Sequence, residues 1–262
     1  INGKALISGD KEDKSNTALA EINNKYPYGG NNAADNSGVM TYVSICYAGA
    51  RSTQDIEHNG LTLNGVGNGT TIENIYVLES ADDAIEFFGG TVNVKNLLAV
   101  NPDDDMFDFT QGYCGTLSNC YGIWESDYTS TEADPRGIEA DGNFDGLYPN
   151  HLRQSDFVVD GMTIVNNAAN TTDNVDRMQD VIKIRRGAKA TIKNALVKGT
   201  GGAIDLVDMN DGKGAGNAAS TISITNSLQL TGKKLNGEAV LNEAGSNTGA
   251  DTSVFGWTKY NF

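Results

Sequence analysis

The chain has 262 residues, with 19 basic against 34 acidic side chains and a net charge of −15. A surface of that sign repels nucleic acid and anionic membranes, which excludes both as partners, and it favours cations. The 31 glycines against four prolines describe a chain with many tight turns, and no apolar run approaches the roughly 18 residues needed to span a bilayer. A start at Ile1, with neither Met nor an apolar leader, is expected of a chain whose export signal has been removed. The expected location is therefore secreted, extracellular or cell-surface.

Residues 1–37 form an N-terminal extension. Ala5-Leu6-Ile7 reads as a short strand, and Ser15-Asn16-Thr17 followed by Ala18, Leu19 and Ile22 reads as a capped helix over 15–26. Such a helix would cap the first rung of a repeat. Val39–Ala48 reads as that first rung strand.

Residues 61–124 then write one unit three times. Leu61-Thr62-Leu63, Ile85-Glu86-Phe87 and Phe107-Asp108-Phe109 are each followed by an Asn-bearing strand, with Asn74, Asn96 and Asn119 spaced by 22 and 23 residues. A fixed period of this length with strand-type alternation and no helical periodicity predicts a right-handed parallel β-helix of about 22 residues per rung. The repeated Asn then stacks as an internal ladder. Residues 125–155 leave the repeat as a polar excursion within the 38–244 helix. The unit returns at 157–162, where Gly161 takes the Asn place, and again with Asn194 and Asn226. The 32 residues between those two imply an insertion near 208–218. The tail, 245–262, carries Phe255, Trp257, Tyr260 and Phe262 and reads as a strand with aromatic alternation.

Three cysteines leave one unpaired in any arrangement. Cys120 falls in the inward column of Ile75 and Leu97. Cys46 reads as a second small core residue, and Cys114 sits at a turn.

Several stretches together resemble a known group: Gly65-Val-Gly-Asn-Gly-Thr-Thr-Ile72, Ala81-Asp-Asp-Ala-Ile-Glu-Phe-Phe-Gly-Gly-Thr-Val-Asn93, Asp103-Asp-Asp105 and Arg136-Gly-Ile-Glu-Ala-Asp141. They are similar to a broad family of secreted or lipid-anchored bacterial parallel β-helix proteins, over roughly 38–170. The resemblance brings no activity with it. A more distant similarity to the pectate-lyase superfamily implies carbohydrate chemistry as an expectation.

Two acidic groups stand out. In register, Asp82 lies above Asp104, Asp83 above Asp105 and Glu86 above Asp108. Like charges about 4.8 Å apart repel by about 1 kcal/mol in water and more when desolvated. This column is either a Ca²⁺ or carboxylate-pair site or a solvated acidic edge of turn-capping aspartates. The second group, Asp141-x-Asn143-x-Asp145-Gly146, begins like a calcium loop but has Leu152 at the twelfth place. It predicts a Ca²⁺ held by Asp141, Asn143 and Asp145, with Glu139 as an added ligand, or else an Asx-turn cluster. Lys183 and Arg185 point outward from their strand, with Lys183 one rung from Asp205 as charge balance. Tyr148 and His151 could line a sugar site.

The leading functional expectation is an extracellular structural protein whose subunits join head-to-tail into a surface fibre. Leu6, Ile7, Phe255, Trp257, Tyr260 and Phe262 would form the contacts, making the chain a homo-oligomer or filament. The alternatives are a polysaccharide-active enzyme using Asp104, Asp105 and Asp108, or a glycan-binding adhesin without turnover.

Overall fold

A computed structural model describes residues 1–8, 16–49, 58–169 and 178–262. A short antiparallel hairpin, β1 (Thr17–Leu19) and β2 (Pro27–Gly29), precedes two parallel sheets. The eight-stranded sheet comprises β3 (Val39–Cys46), β5 (Thr71–Leu78), β7 (Asn93–Val100), β9 (Thr116–Trp124), β11 (Asp156–Asn166), β13 (Lys189–Lys198), β15 (Thr221–Asn226) and β17 (Val240–Glu243). The seven-stranded sheet comprises β4 (Leu61–Asn64), β6 (Ile85–Phe88), β8 (Phe107–Thr110), β10 (Ile138–Asp141), β12 (Met178–Arg185), β14 (Gly202–Asp208) and β16 (Gln229–Leu230). From β3 onward each strand pairs with the strand two places along the chain, which is the parallel β-helix that the repeat predicts.

The core lies between the sheets. Alternation at period two sends Leu61 and Leu63, Ile85 and Phe87, Phe107 and Phe109, Ile138 and Ala140 inward from successive strands. Rings stack through it, Phe87 on Phe109 at 5.1 Å and Phe109 on Phe157 at 4.2 Å. Cys120 is buried under Leu97, as its column requires. Cys46 is exposed: on the end strand β3, Met40, Val43 and Ile45 take the inward places and turn Cys46 outward.

The asparagine ladder forms on the outside of a bend. Asn96 Nδ2 donates to Asn74 Oδ1 at 2.9 Å, and Asn119 Nδ2 donates to Asn96 Oδ1 at 2.9 Å. These residues have left-handed backbone (φ 57°, 57° and 53°), a conformation that Asn tolerates. Each thereby breaks the alternation once, so that Ile72, Ile75 and Val77 all reach the core. Gly161 (φ 72°) and Asn194 (φ 50°) continue this backbone column. Asn226 does not. Between Ile192 and Ala195 the register with β15 shifts, Ser223 alone stands where β13 has two residues, and Asn226 falls opposite Val197.

Both termini differ from expectation. No helix forms over 15–26; Ala18, Ala20 and Tyr28 are buried while Leu19 and Ile22 are exposed, a period-two pattern, and Pro27 belongs to a strand. Ser15 lies outside the described residues. The hairpin packs with Ile7 on Phe88 at the flank of the solenoid rather than over its end. Ala5-Leu6-Ile7 is no strand. Residues 1–8 run across the rungs, with Gly3 N–H donating to Asn64 O, Ala5 N–H to Gly65 O and Ser8 N–H to Gln111 O.

The tail runs the other way, up the asparagine column. Asn194 accepts from Thr248 N–H at 2.8 Å and Asn119 accepts from Asp251 N–H at 2.6 Å. Residues Thr252–Thr258 form a 3₁₀ helix, not a strand, because Asp251 caps it by accepting from Ser253 N–H at 3.0 Å. Phe255 is fully buried among Tyr76, Leu98 and Tyr121.

Candidate functional site

One four-residue pattern recurs in the strands of the seven-stranded sheet: Asp83-Ala-Ile-Glu86, Asp105-Met-Phe-Asp108, Arg136-Gly-Ile-Glu139, Asp180-Val-Ile-Lys183 and Asp205-Leu-Val-Asp208. Parallel pairing in register turns it into a wall of two charged columns. Glu86, Asp108, Glu139, Lys183 and Asp208 are successive partners on the outward face, and Asp180 pairs with Asp205 in the other column. The predicted stacking of Glu86 on Asp108 is therefore observed, and Asp105 N–H donates to Asp83 Oδ1 at 2.9 Å. Lys183 differs from expectation. Its register partner is Asp208, which it pairs with directly, and Asp180 lies 3.6 Å away.

Charge divides the wall into two parts. In its β10–β14 part Arg136 pairs with Glu139 and, at 2.7 Å, with Asp134. Arg185 pairs with Glu139 and, at 2.6 Å, with Asp141, while Arg186 reaches Asp141 at 2.5 Å and Asp211 at 3.1 Å. In the β6–β8 part no lysine or arginine among the described residues pairs with Asp83, Glu86, Asp104, Asp105 or Asp108. Asp83 and Asp105 are buried, Glu86, Asp104 and Asp108 half-buried. One oxygen each of Asp104, Asp105 and Asp108 is buried with no hydrogen-bond partner. Such orphaned oxygens are costly unless the group is protonated or meets a cation.

Burial raises the affinity of these carboxyls for protons well above the ordinary range, and neighbouring carboxylates raise it further: Asp82 for Asp83, Asp108 for Glu86, Glu139 for Asp104 and Asp108. Asp105 shifts the same way, by burial and then Asp104. Asp180 is pushed up only to about 6, because Lys183 offsets its burial. Burial would lower the Arg136 pKa, but Glu139 and Asp105 outweigh it and hold the guanidinium charged.

Among the described residues, four groups of carboxylates bring oxygens within 4.8 Å of one another: Asp82/Asp83/Asp104, Asp83/Glu86/Asp108, Asp105/Asp108/Glu139 and Asp180/Asp205/Asp208. The first two fit a hard divalent cation best, being all oxygen with no guanidinium among their partners. The Asp141-Asn143-Asp145 loop fits one poorly. Asp141 is held by Arg185 and Arg186, and Asp145 by Lys213 at 2.6 Å. Asn143 accepts from Tyr148 N–H and donates to Gln154 and Arg186 O. A cation there would have to displace fixed cationic side chains.

The other sequence candidates lie apart from the wall. His151 lines a recess of about 800 Å³ with Leu6, Cys114 and Arg153, whereas Tyr148 is buried and does not line it. Ile7 and Phe255 are fully buried within their own chain, so neither offers a contact to a neighbour. Trp257 and Tyr260 of the same tail are half-buried against the Tyr76, Leu98 and Tyr121 cluster. Arg136, Asp180 and Asp208 do not stand out by residue type alone. The recurring pattern marks them, since each stands at its first or fourth place.

No curated protein and no solved structure matches the chain. A family model described as a pectate-lyase-like β-helix domain matches residues 1–259. Strand pairing and family model agree, and the chain belongs to the pectate-lyase-like β-helix domain family.

Proposed function

We propose that this β-helix works outside the cell as a glycan-binding module, holding divalent cations on the β6–β8 part of its wall and, through them, an anionic polysaccharide. The observation that carries this reading is the set of orphaned oxygens on Asp104, Asp105 and Asp108 beside Asp83 and Glu86. Ca²⁺ ions in the Asp82/Asp83/Asp104 and Asp83/Glu86/Asp108 groups would meet Asp104 and Asp108, displace their protons and leave coordination places for a sugar carboxylate. Arg136, Lys183, Arg185 and Arg186 all lie in ion pairs, so none is a free base for cleaving a uronate by elimination.

Hydrolysis is the second reading. It is favoured by carboxyl oxygens within 4.8 Å of one another, close to the roughly 5 Å separation in retaining glycosidases. The fibre reading has less support, since Ile7 and Phe255 are buried within their own chain and only Phe262 of its aromatic contacts stays 49% exposed.

Calorimetric titration with Ca²⁺ and retention on an immobilised polyuronate test the proposal. The expected results are Ca²⁺ binding with proton release, retention that chelator abolishes, and loss of both in Asp108→Asn. No heat and no rise in melting temperature at about 1 mM Ca²⁺ would overturn it. Release of new reducing ends would replace binding with hydrolysis.

A further inference from the structure

The two sheets end differently at the first rung. On the seven-stranded side, the edge of β4 is covered: Asn2 forms a parallel bridge with Asn64, Asn64 N–H donates to Ile1 O, and Gly3 N–H donates to Asn64 O. On the eight-stranded side nothing described pairs with the outer edge of β3, whose only strand partner among the described residues is β5. A long uncharged edge with free backbone donors and acceptors is a pairing template. β3 is eight residues long and carries no charge in a chain of net charge −15.

Its side chains are unusual for their places. Tyr42 (φ 55°) heads the left-handed column that continues as Asn74, Asn96 and Asn119. Tyr47 (φ 54°) heads a second column that continues as Glu79 (φ 50°) and Asn101 (φ 52°). Where inner rungs put Asn or Glu, the end rung has two tyrosines, 65% and 70% exposed. A bulky residue in left-handed backbone is strained, and such strain persists where something else requires the side chain. Tyr42 meets Trp257 of its own chain edge-on at 5.5 Å, whereas Tyr47 has no such ring contact among the described residues.

Exposure concentrates at the same end. Of the eleven exposed large hydrophobic residues described, Val39, Tyr42 and Tyr47 lie on or next to β3 and Ile1 lies beside β4, while Leu19, Ile22 and Tyr26 belong to the flanking hairpin. Ile1, Ile22 and Tyr26 rim a recess of about 390 Å³ beside Thr62 and Asn64 on the same rung. Exposed apolar surface of this density marks an interaction site.

We infer that the first-rung end is a self-association surface, and that two copies join there about a twofold axis with their β3 strands antiparallel. The occupant is a second copy because the strand is neutral. Two molecules of like net charge meet with least repulsion where neither carries charge. Antiparallel edge pairing of one strand with itself needs no second complementary surface. The far end is a poor alternative partner: β17 has four residues and ends in Glu243, with Glu238, Lys233 and Lys234 nearby. The contact closes on itself, so it yields dimers and not a fibre.

Sedimentation equilibrium of the whole chain at about 100 µM tests this. The wild type is expected at twice the chain mass. The double variant Tyr42→Asn/Tyr47→Asn installs residues of the kind inner rungs use but gives up the Tyr42–Trp257 ring contact, so its melting temperature should fall by only a few degrees while its dissociation constant rises at least about 100-fold. Val240→Lys, at the far end, should leave the dimer unchanged. A wild-type monomer, species larger than a dimer, a double variant that still dimerises, or a Val240→Lys variant that does not would each overturn the inference. Because β3, Tyr42 and Tyr47 belong to the sheet opposite the charged wall, cation binding by the monomeric variant separates a failure here from a failure of the proposed function.

Discussion

The two parts of the charged wall share one backbone, one register and one four-residue pattern, yet they handle charge in opposite ways. Across β10–β14, buried carboxylates meet Arg136, Lys183, Arg185 and Arg186. Across β6–β8, Asp83 and Asp105 occupy the place that Arg136 takes one rung on, and their neighbours Glu86, Asp104 and Asp108 form no ion pair with a lysine or arginine among the described residues, feeling Arg136 and Arg185 only from beyond contact distance. Four basic residues, Arg136 at the first place of the pattern, Lys183 at the fourth, and Arg185 and Arg186 just beyond it, separate fixed internal neutralisation from dependence on protons or cations from solution. The paired part is a structural network. The unpaired part is the one with chemistry left over.

Cutting the paired part should have the largest effect. Arg136 is 3% exposed and serves Glu139, Asp134 and Gln179, so Arg136→Leu takes from the buried Glu139 one of its two guanidinium partners, leaving only Arg185, and removes the cation that Asp134 and Gln179 share. A loss of about 3–5 kcal/mol is expected in urea unfolding at neutral pH. A loss below about 1 kcal/mol would mean that the two parts do not differ as described.

The pH response comes next, with its sign fixed by the raised pKa values. The folded chain holds protons that the unfolded chain releases at ordinary carboxylate pKa values. Cation-free protein is therefore most stable below about pH 4 with respect to these groups and loses stability as pH rises through 6, where Asp180 titrates, and onward through the more strongly shifted Asp83, Glu86, Asp104, Asp105 and Asp108. Urea titrations in chelator across this range should show the decline, and Ca²⁺ should flatten it. Stability that rises with pH in chelator would contradict the unpaired state.

The smallest effect is the sharpest contrast. Asp108→Asn, made in the unpaired part, should stabilise the cation-free protein by about 1 kcal/mol by removing a repelling charge. Conversely, it should reduce the gain in melting temperature on adding Ca²⁺. Destabilisation in chelator would show that Asp108 has a partner after all.

The repeat is legible in the sequence because its signals are local and periodic. Asn74, Asn96 and Asn119 mark left-handed positions that recur every rung, and alternation around Phe87 and Phe109 shows which face is inward. The sequence misleads where a local signal has two solutions. Ala18, Leu19 and Ile22 fit a helical stripe, but Ala18, Ala20 and Tyr28 fit a hairpin against Phe88, and burial of Tyr28 favours the second. Asn226 matches the repeat by letter, yet β15 has one residue fewer before it, and no sequence pattern announces a register shift. In the calcium-like loop, ligand spacing is correct while the partners of Asp141 and Asp145 come from 44 and 68 residues away. The wall itself is half visible: the acidic column can be read from the letters, whereas the neutralising role of Arg136 depends on which rung it joins.

The C-terminal tail has a consequence for how the molecule comes apart. A stack of rungs held only by nearest neighbours frays from its ends, one repeat at a time. Here residues 247–258 leave the last rungs and bond in turn to Asn194, Thr163 and Asn119 before Trp257 meets Tyr42 on the first. Loosening either end therefore strips contacts from the other, and what looks like a linear array opens and closes as one cooperative unit.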